Sequence, residues 1–315
     1  MVDTNKTMAN LKDIKNRIQS IESTKKITRA MKMVAAAKVK KSENAVKSAR
    51  PYTKELVEMF QKMLNSVTEF SSESLKIKSP IDDYPALLQT RDVKNVGILV
   101  LTSNKGLAGA YNANVVRAVL KRIKEYKEQG IEVTLFVGGQ KGISALRKKC
   151  ASLGCPIVKK YFSAIDNPNP IEARDIAEDV AEYYVSKKID KIEIMTTRFK
   201  NMMSYFVEDW QVLPVSGVVD VHERITDNVI DPLMEFVPDK HHILQKIVPM
   251  YMTNIFYQAL LEAQASELAS RMTSMSAATT NAEKMIKALS IEYNKTRQAA
   301  ITQELIEVVN GANAI

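Results

Sequence analysis

The sequence predicts an α/β protein: a central Rossmann-like α/β domain plus a long antiparallel coiled coil formed by the N- and C-terminal helices. The chain of 315 residues is long enough for one large domain or two smaller ones. All ten prolines lie between Pro51 and Pro249, and nine of the ten glycines lie between Gly97 and Gly217. Both ends therefore lack helix breakers over lengths well beyond an ordinary globular helix. Strand and helix patterns alternate between these ends, which is typical of a parallel sheet.

Apolar residues in the N-terminal segment recur at helical spacing. Leu11, Ile14, Ile18 and Ile21 alternate spacings of three and four residues. This alternation predicts one buried stripe along a helix. We expect the stripe then to shift to Ile27, Met31 and Val34.

The C-terminal segment carries a longer stripe with the same alternation. Sustained heptads of this kind indicate a coiled coil. Several positions hold Ala or Thr rather than Leu, which suits helices that pack closely or are clasped by a partner. The predicted positions are Leu268, Met272, Met275, Thr279, Ala282, Ile286, Leu289, Tyr293, Thr296 and Ala300.

The length of these helices restricts the architecture. A helix of about 60 residues is roughly 90 Å long, whereas a domain of about 170 residues has a radius of gyration of roughly 15 Å. The central domain cannot cover such helices, so we expect them to pair with each other and form a shaft on a globular head. The predicted boundaries are 1–60 for the first helix, 61–242 for the α/β domain and 243–315 for the last helix.

The middle of the chain alternates strand and helix patterns. Val96–Leu101 is a continuous apolar run that ends in a turn-like segment, as a buried strand does. Further predicted strands are Glu132–Val137, Lys191–Thr197 and Ser204–Val215, and the predicted helices are Asn114–Gln129, a helix from Gly139 to about Cys150, and Ile171–Ser186.

Catalytic and cofactor motifs are incomplete or missing. Gly106–Tyr111 follows a strand but contains only half of a dinucleotide-binding fingerprint, so we interpret its glycines as parts of a tight turn. Two cysteines, Cys150 and Cys155, and three histidines are too few for a structural zinc site. We expect two reduced thiols, no cofactor, no metal and no catalytic residue on this chain.

Charge is distributed unevenly along the sequence. Residues 1–50 hold 13 Lys or Arg and 4 Asp or Glu, whereas the rest of the chain is balanced. A basic helix favours an acidic partner, which could be nucleic acid, an anionic membrane or a carboxylate-rich protein. An enzyme built on the central domain is a further alternative, disfavoured by the incomplete glycine motif.

Both ends of the chain resemble the gamma subunit of the rotary F-type ATP synthase. The resemblance covers essentially the whole chain. The matching segments are Met8–Ile18, Thr24–Lys38, Ala265–Glu267, Arg271–Met272, Ala277–Thr279 and Tyr293–Leu305, together with the Ser103–Asn112 loop.

The resemblance implies a central rotor shaft that couples rotation of the membrane c-ring to conformational change at the catalytic beta subunits. It implies as partners the alpha and beta subunits, the epsilon subunit and the c-ring, and not nucleic acid, the alternative from charge alone. We expect neither a transit peptide nor a signal peptide, and therefore a bacterial protein that is peripheral on the cytoplasmic face of the plasma membrane. The residues implied to contact the alpha and beta subunits are Lys25, Lys26, Arg29, Met31, Lys32, Arg271, Arg297, Gln298, Thr302, Ile301 and Leu305. The last two belong to a predicted apolar end that also includes Val308 and Val309.

Overall fold

The computed structural model describes residues 2–66, 84–214 and 239–312. Twelve elements lie in these ranges, with a long helix at each end and an alternating α/β segment between them. In chain order they are α1 (Val2–Ser66), α2 (Tyr84–Leu88), β1 (Asn95–Leu101), α3 (Tyr111–Glu128), β2 (Glu132–Gly138), α4 (Gln140–Leu153), β3 (Ile157–Tyr161), α5 (Ser163–Asp166), α6 (Pro170–Val185), β4 (Lys191–Asn201), β5 (Ser204–Leu213) and α7 (Lys240–Ala312).

Both terminal helices run through a proline, as the predicted bounds of 1–60 and 243–315 require. Pro51 lies inside α1 and Pro249 lies inside α7. Proline has a helical φ but removes one N–H and crowds the preceding turn. The helix continues past Pro51 because the next turns are packed: Phe60 is fully buried, and the Thr53 hydroxyl donates to the Ala49 carbonyl at 3.0 Å.

The predicted parallel sheet is confirmed and has five strands in the order β3-β2-β1-β4-β5. The first four strands are parallel, and β5 pairs antiparallel to β4. All of β1 after Asn95 is buried, as its unbroken apolar sequence requires when helices cover both faces.

Each face of the sheet has its own apolar core. Helices α3 and α4 cover one face around residues such as Tyr111, Val119 and Leu146. Helix α6 covers the other face together with residues 56–63 of α1 and 244–263 of α7. Segments from both terminal helices are therefore part of the α/β core.

Strand β3 was not predicted from the sequence. Its sequence, Ile157–Tyr161, is short and contains two lysines, and none of its residues is fully buried. Edge strands commonly carry lysine, which discourages pairing with other chains. The same feature weakens the apolar signal by which a strand is recognised.

The described residues divide into two compact units, one made of residues 1–36 with 271–315 and the other of residues 37–270. Within the second unit, Arg50 of α1 binds Glu262 of α7 through two contacts of 2.7 and 2.9 Å. Arg50 also donates to the Phe199 carbonyl, and Glu262 accepts from the Phe199 amide at 2.8 Å. This partly buried network joins the two helices to the carboxyl end of β4.

Candidate partner-binding surface

The first unit is a pair of antiparallel helices. The Thr28 and Thr279 hydroxyls are hydrogen-bonded at 3.0 Å, and Lys25 binds Glu283 at 3.0 Å. Going back three residues on α1 therefore corresponds to going forward four on α7, as antiparallel helices require. The antiparallel pairing predicted from the sequence is confirmed by these contacts.

The predicted stripe on α7 is the buried side of this pair. Met275 and Ala282 are each 5% exposed, and the other predicted positions in this unit are partly buried. Small residues at such positions let the two backbones approach closely. The residues concerned are Met272, Met275, Thr279, Ala282, Ile286, Leu289, Tyr293, Thr296 and Ala300.

The predicted stripe on α1 is right up to Ile21 and at Met31, which is partly buried, but it is wrong at Ile27 and Val34. Ile27 is 60% exposed and Val34 is 58% exposed, whereas Thr28 and Ala35 are buried. The buried side continues at the spacing set by Ile14 and Ile18, although its next positions hold polar or small residues. Lys25 fits there because its ammonium group reaches Glu283, and Thr28 fits because its hydroxyl meets Thr279.

The basic residues predicted to contact partners lie mainly on the open side of α1. Lys26, Arg29 and Lys32 are exposed, and Met31 is partly buried. Lys25 is the exception, since its pairing with Glu283 gives it a role inside the helix pair. The open side also carries Ile27, Met33 and Val34, which were not assigned to partners from the sequence. Their exposure could have been predicted, because they fall outside the spacing of three and four residues that begins at Leu11.

The predicted contact residues near the end of α7 are also exposed. Arg297, Gln298 and Thr302 are accessible, and the Thr302 hydroxyl donates to the Gln298 carbonyl at 2.9 Å, which places both residues on one face. Arg271 lies at the other end of this unit and is partly buried. The structure therefore brings Gln298 and Thr302 together, while Arg271 lies some seven turns away along the helix.

The last turns of α7 expose several apolar side chains in a row. Contiguous apolar surface of this kind is uncommon on an isolated soluble protein and marks a binding surface. The exposed fractions are 45% for Ile301, 61% for Leu305, 54% for Ile306, 69% for Val308 and 56% for Val309.

The glycine-rich segments of the α/β unit have a packing role. The amides at the start of α4 already have protein acceptors: Gln140 donates to the Asn104 side chain, Lys141 to the Ser103 carbonyl and Gly142 to the Thr102 hydroxyl. A phosphate would have to displace these acceptors in order to bind there. A Cβ atom at Gly139 would lie 2.3 Å from the Thr102 carbonyl oxygen, so this glycine permits close approach of α4 to β1.

Other chemistry in the described part of the chain is limited. Cys150 and Cys155 are free and buried, as expected for reduced thiols. Within residues 2–66, 84–214 and 239–312, no group of three His, Cys, Asp or Glu side chains could hold a metal ion. No helix in these ranges is long and apolar enough to cross a bilayer. The surface of the helix pair can offer cations and apolar side chains to a macromolecular partner.

Comparison with known proteins identifies the family. A family model described as ATP synthase matches residues 10–315. The ATP synthase gamma chains of Gloeothece citriformis and Crocosphaera subtropica are 38% and 39% identical to the chain, over 98% of this chain and 100% of each relative.

Solved structures agree with this assignment. A chain of the central stalk and c-ring of Tetrahymena thermophila mitochondrial ATP synthase is 27% identical, with a TM-score of 0.59 over 80% of this chain and 99% of that one. A chain of Euglena gracilis mitochondrial ATP synthase shares the fold, with a TM-score of 0.65 at 16% identity over 97% of this chain and 94% of that one. The chain belongs to the ATP synthase gamma-chain family.

Proposed function

We propose that the chain is the central rotor shaft of an F-type ATP synthase. The observation that carries this proposal is the match to gamma chains along the full length of both proteins, which includes both terminal helices. In this role the helix pair rotates within a hexamer of alpha and beta subunits and drives the catalytic beta sites through different conformations. None of the comparisons favours the nucleic-acid alternative.

The apolar end of α7 would serve as the bearing of the shaft. Five of its apolar residues are between 45% and 69% exposed. A sleeve of apolar side chains contributed by the hexamer would cover them without fixing them by directed hydrogen bonds. A smooth contact of this kind permits rotation, since dispersion and apolar burial depend little on direction.

Two sets of polar residues would transmit torque. Lys26, Arg29 and Lys32 are exposed and Met31 is partly buried, and we assign all four to contact with an acidic region of a beta subunit, with Lys25 supporting the helix pair. The second set consists of Arg271, Arg297, Gln298 and Thr302, which we assign to loops of the catalytic subunits. Ile301 and Leu305 would make the adjacent apolar contacts.

The chain itself is proposed to be non-catalytic. The protein acceptors of the Gln140, Lys141 and Gly142 amides support this view, since they occupy the positions that a phosphate-binding loop leaves open. We propose that residues 61–242 form the head that meets the epsilon subunit and the c-ring. The complex would lie on the cytoplasmic face of a bacterial plasma membrane, with residues 1–60 and 243–315 as the shaft helices.

A pair of methionine variants tests the assignment of Met31 to contact with the acidic region of a beta subunit. Met31→Lys adds a charge beside the basic group, and we expect it to lower proton-driven ATP synthesis several-fold while the complex still assembles. Met285→Lys makes the same change at a side chain of α7 that is 51% exposed and lies more than three turns from both Arg271 and Arg297, so synthesis should fall much less. Synthesis by inverted membrane vesicles measures both. Equal losses in the two variants, or normal synthesis with Met31→Lys, would contradict the assignment.

Co-purification tests the rotor function more broadly. We expect a tagged copy of the chain to recover a particle many times its own 35.3 kDa, with one copy of the chain per particle and Mg-ATPase activity. The isolated chain should have no such activity. Recovery of the free chain alone, or of nucleic acid released by salt, would overturn the proposal.

A further inference from the structure

The α/β unit separates its charges between the two faces of the sheet. Helices α3 and α4 on one face carry nine Lys or Arg and two Asp or Glu. Helix α6 on the other face carries one Arg and five Asp or Glu. The balanced charge of the central sequence therefore hides a strongly basic surface formed by α3 and α4.

A groove of about 710 Å³ lies between α3 and α4 on this basic surface. Its floor is apolar and consists of Ala113, Val116 and Leu120 from α3 with Ala145 from α4. Val116 is 7% exposed and anchors the floor in the core beneath it. Ala113 and Ala145 are small and exposed, so they leave space above the floor.

Both rims of the groove are cationic. Arg117, Lys121 and Lys124 follow one another by four and three residues along α3, and Lys141 and Lys149 stand two turns apart on α4. All five side chains are exposed, and none of the groove's lining residues is acidic. Lys121 pairs with Glu125 at 3.8 Å, whereas the other four have no ion pair with any described residue.

This arrangement fits one class of occupant best. An amphipathic helix can place apolar side chains on the floor while acidic side chains on its two flanks meet the rims. A bilayer would need apolar groups that protrude beyond the charges, but here the apolar groups lie below them. Single-stranded nucleic acid would need aromatic side chains for stacking, and no lining residue is aromatic.

We propose that the groove between α3 and α4 is a docking site for an acidic amphipathic helix of a partner protein. The affinity would come from burial of the partner's apolar face on Leu120 and on the exposed Ala113 and Ala145. The rims would select partners with carboxylates on both flanks and speed their association. This site is separate from the helix-pair surface and does not depend on the rotor function.

The test measures binding of a designed peptide to the full chain by fluorescence anisotropy at about 0.15 M salt. The peptide is a helix of about 18 residues, roughly 27 Å long, with Leu along one face and Glu on its flanks. A scrambled peptide of the same composition has the charge without the apolar face. Anionic phosphatidylglycerol vesicles serve as a membrane probe.

Three variants separate the groove from general electrostatics. Lys124→Glu with Lys149→Glu reverses one charge on each rim. Lys127→Glu with Lys148→Glu makes the same change of net charge on the same two helices, at exposed positions that do not line the groove. Ala145→Trp keeps every charge but fills the floor. All the substituted side chains are exposed, and circular dichroism checks that each variant folds.

We expect the designed peptide to bind and the scrambled peptide to bind at least about tenfold more weakly. The rim variant and Ala145→Trp should each weaken binding about tenfold or more, while Lys127→Glu with Lys148→Glu changes it less than about threefold. The proposal is overturned by no binding, by equal effects of the two charge-reversal variants, by unchanged binding to Ala145→Trp, or by equal binding of the scrambled peptide. Vesicle binding that requires the rim lysines would assign the surface to a membrane instead.

Discussion

Glu193 shows how a buried charge fixes a helix to the sheet. Its side chain lies on β4 and is 1% exposed, and Arg122 and Lys191 contact its carboxylate at 2.8 and 2.7 Å. The Tyr126 hydroxyl also donates to this carboxylate. Burial alone raises the pKa of Glu193, but the hydrogen bonds from Arg122, Lys191 and Tyr126 outweigh it and lower the pKa below its usual value. The network holds α3 in position on the sheet.

Replacing this carboxylate should destabilise the chain in a pH-dependent way. Glu193→Gln leaves two cations facing a neutral group, and we expect a loss of about 2–4 kcal/mol at pH 7 because Arg122 and Lys191 are only partly rehydrated. The folded pKa is lowered, so the stabilisation is present above the unfolded pKa of about 4.3 and is lost as the pH falls through the folded pKa. Urea unfolding of both proteins at pH 7 and near pH 3 measures the difference.

The matched control for Glu193 is Glu178→Gln. Glu178 is 33% exposed and pairs with Arg174 at 2.9 Å within one helix. Such a surface pair contributes little, so the variant should lie within about 0.5 kcal/mol of the parent at pH 7. A difference between parent and Glu193→Gln that does not shrink at low pH would contradict the role given to the carboxylate.

At the scale of elements, the start of α4 depends on the absence of a side chain at Gly139. Its φ is +93°, and an added Cβ would lie 2.3 Å from the Thr102 carbonyl oxygen. We expect Gly139→Ala to cost about 2–5 kcal/mol, because the backbone conformation is strained and the α4–β1 contact must open.

Gly130→Ala separates these two causes. Gly130 also has a positive φ, of +74°, but no atom lies within 4 Å of its added Cβ. This variant should show only the backbone strain of about 1–2 kcal/mol. Denaturant unfolding of the two variants measures the difference between them. Equal stability losses would mean that close packing against Thr102 contributes nothing.

The buried side of the helix pair is tested by the same substitution at two isoleucines of α1. Ile14 is 7% exposed and Ile27 is 60% exposed. Ile14→Gln should open the pair locally, at a cost of about 2–4 kcal/mol, and accelerate amide exchange in residues 271–312. Ile27→Gln should leave exchange nearly unchanged in the isolated chain. Faster amide exchange in Ile27→Gln would mean that Ile27 lies on the buried side of the pair, as the sequence suggested.

Long elements were predictable where one physical signal dominates. Strand β1 follows from its apolar run, and α7 follows from its regular heptads. The buried side of α1 could not be followed from the sequence at Lys25 and Thr28, because a salt bridge and a hydrogen bond between two hydroxyls replace apolar contact there. Strand β3 was not predicted, because Lys159 and Lys160 interrupt its apolar sequence. These failures occur where a partner distant in sequence determines the environment.

At the scale of the whole molecule, the net charge of a segment does not show how its charges are distributed in space. Residues 51–240 contain equal numbers of acidic and basic residues. In space the basic residues of α3 and α4 lie on one side of the sheet and the acidic residues of α6 on the other. The separation depends on which face of the sheet each helix covers. The net charge counted along the sequence does not contain this information.

The cysteines of the chain allow a direct test of rotation. Burial, and the neighbouring Cys155, raise the pKa of Cys150 to about 11, and burial raises the pKa of Cys155 as well. Both thiols are therefore largely protonated near neutral pH and should react slowly with thiol reagents. Met203 lies in the turn between β4 and β5 and is 86% exposed, so Met203→Cys supplies one reactive position for a visible probe.

The most direct test of the rotor function is to observe that probe in a single complex whose alpha and beta subunits are fixed to a surface. If the chain is the rotor shaft, addition of Mg-ATP makes the probe turn continuously in one direction, and a non-hydrolysable analogue stops it. Complexes that hydrolyse ATP at the normal rate while the probe at residue 203 stays fixed would show that the chain is not the rotating element.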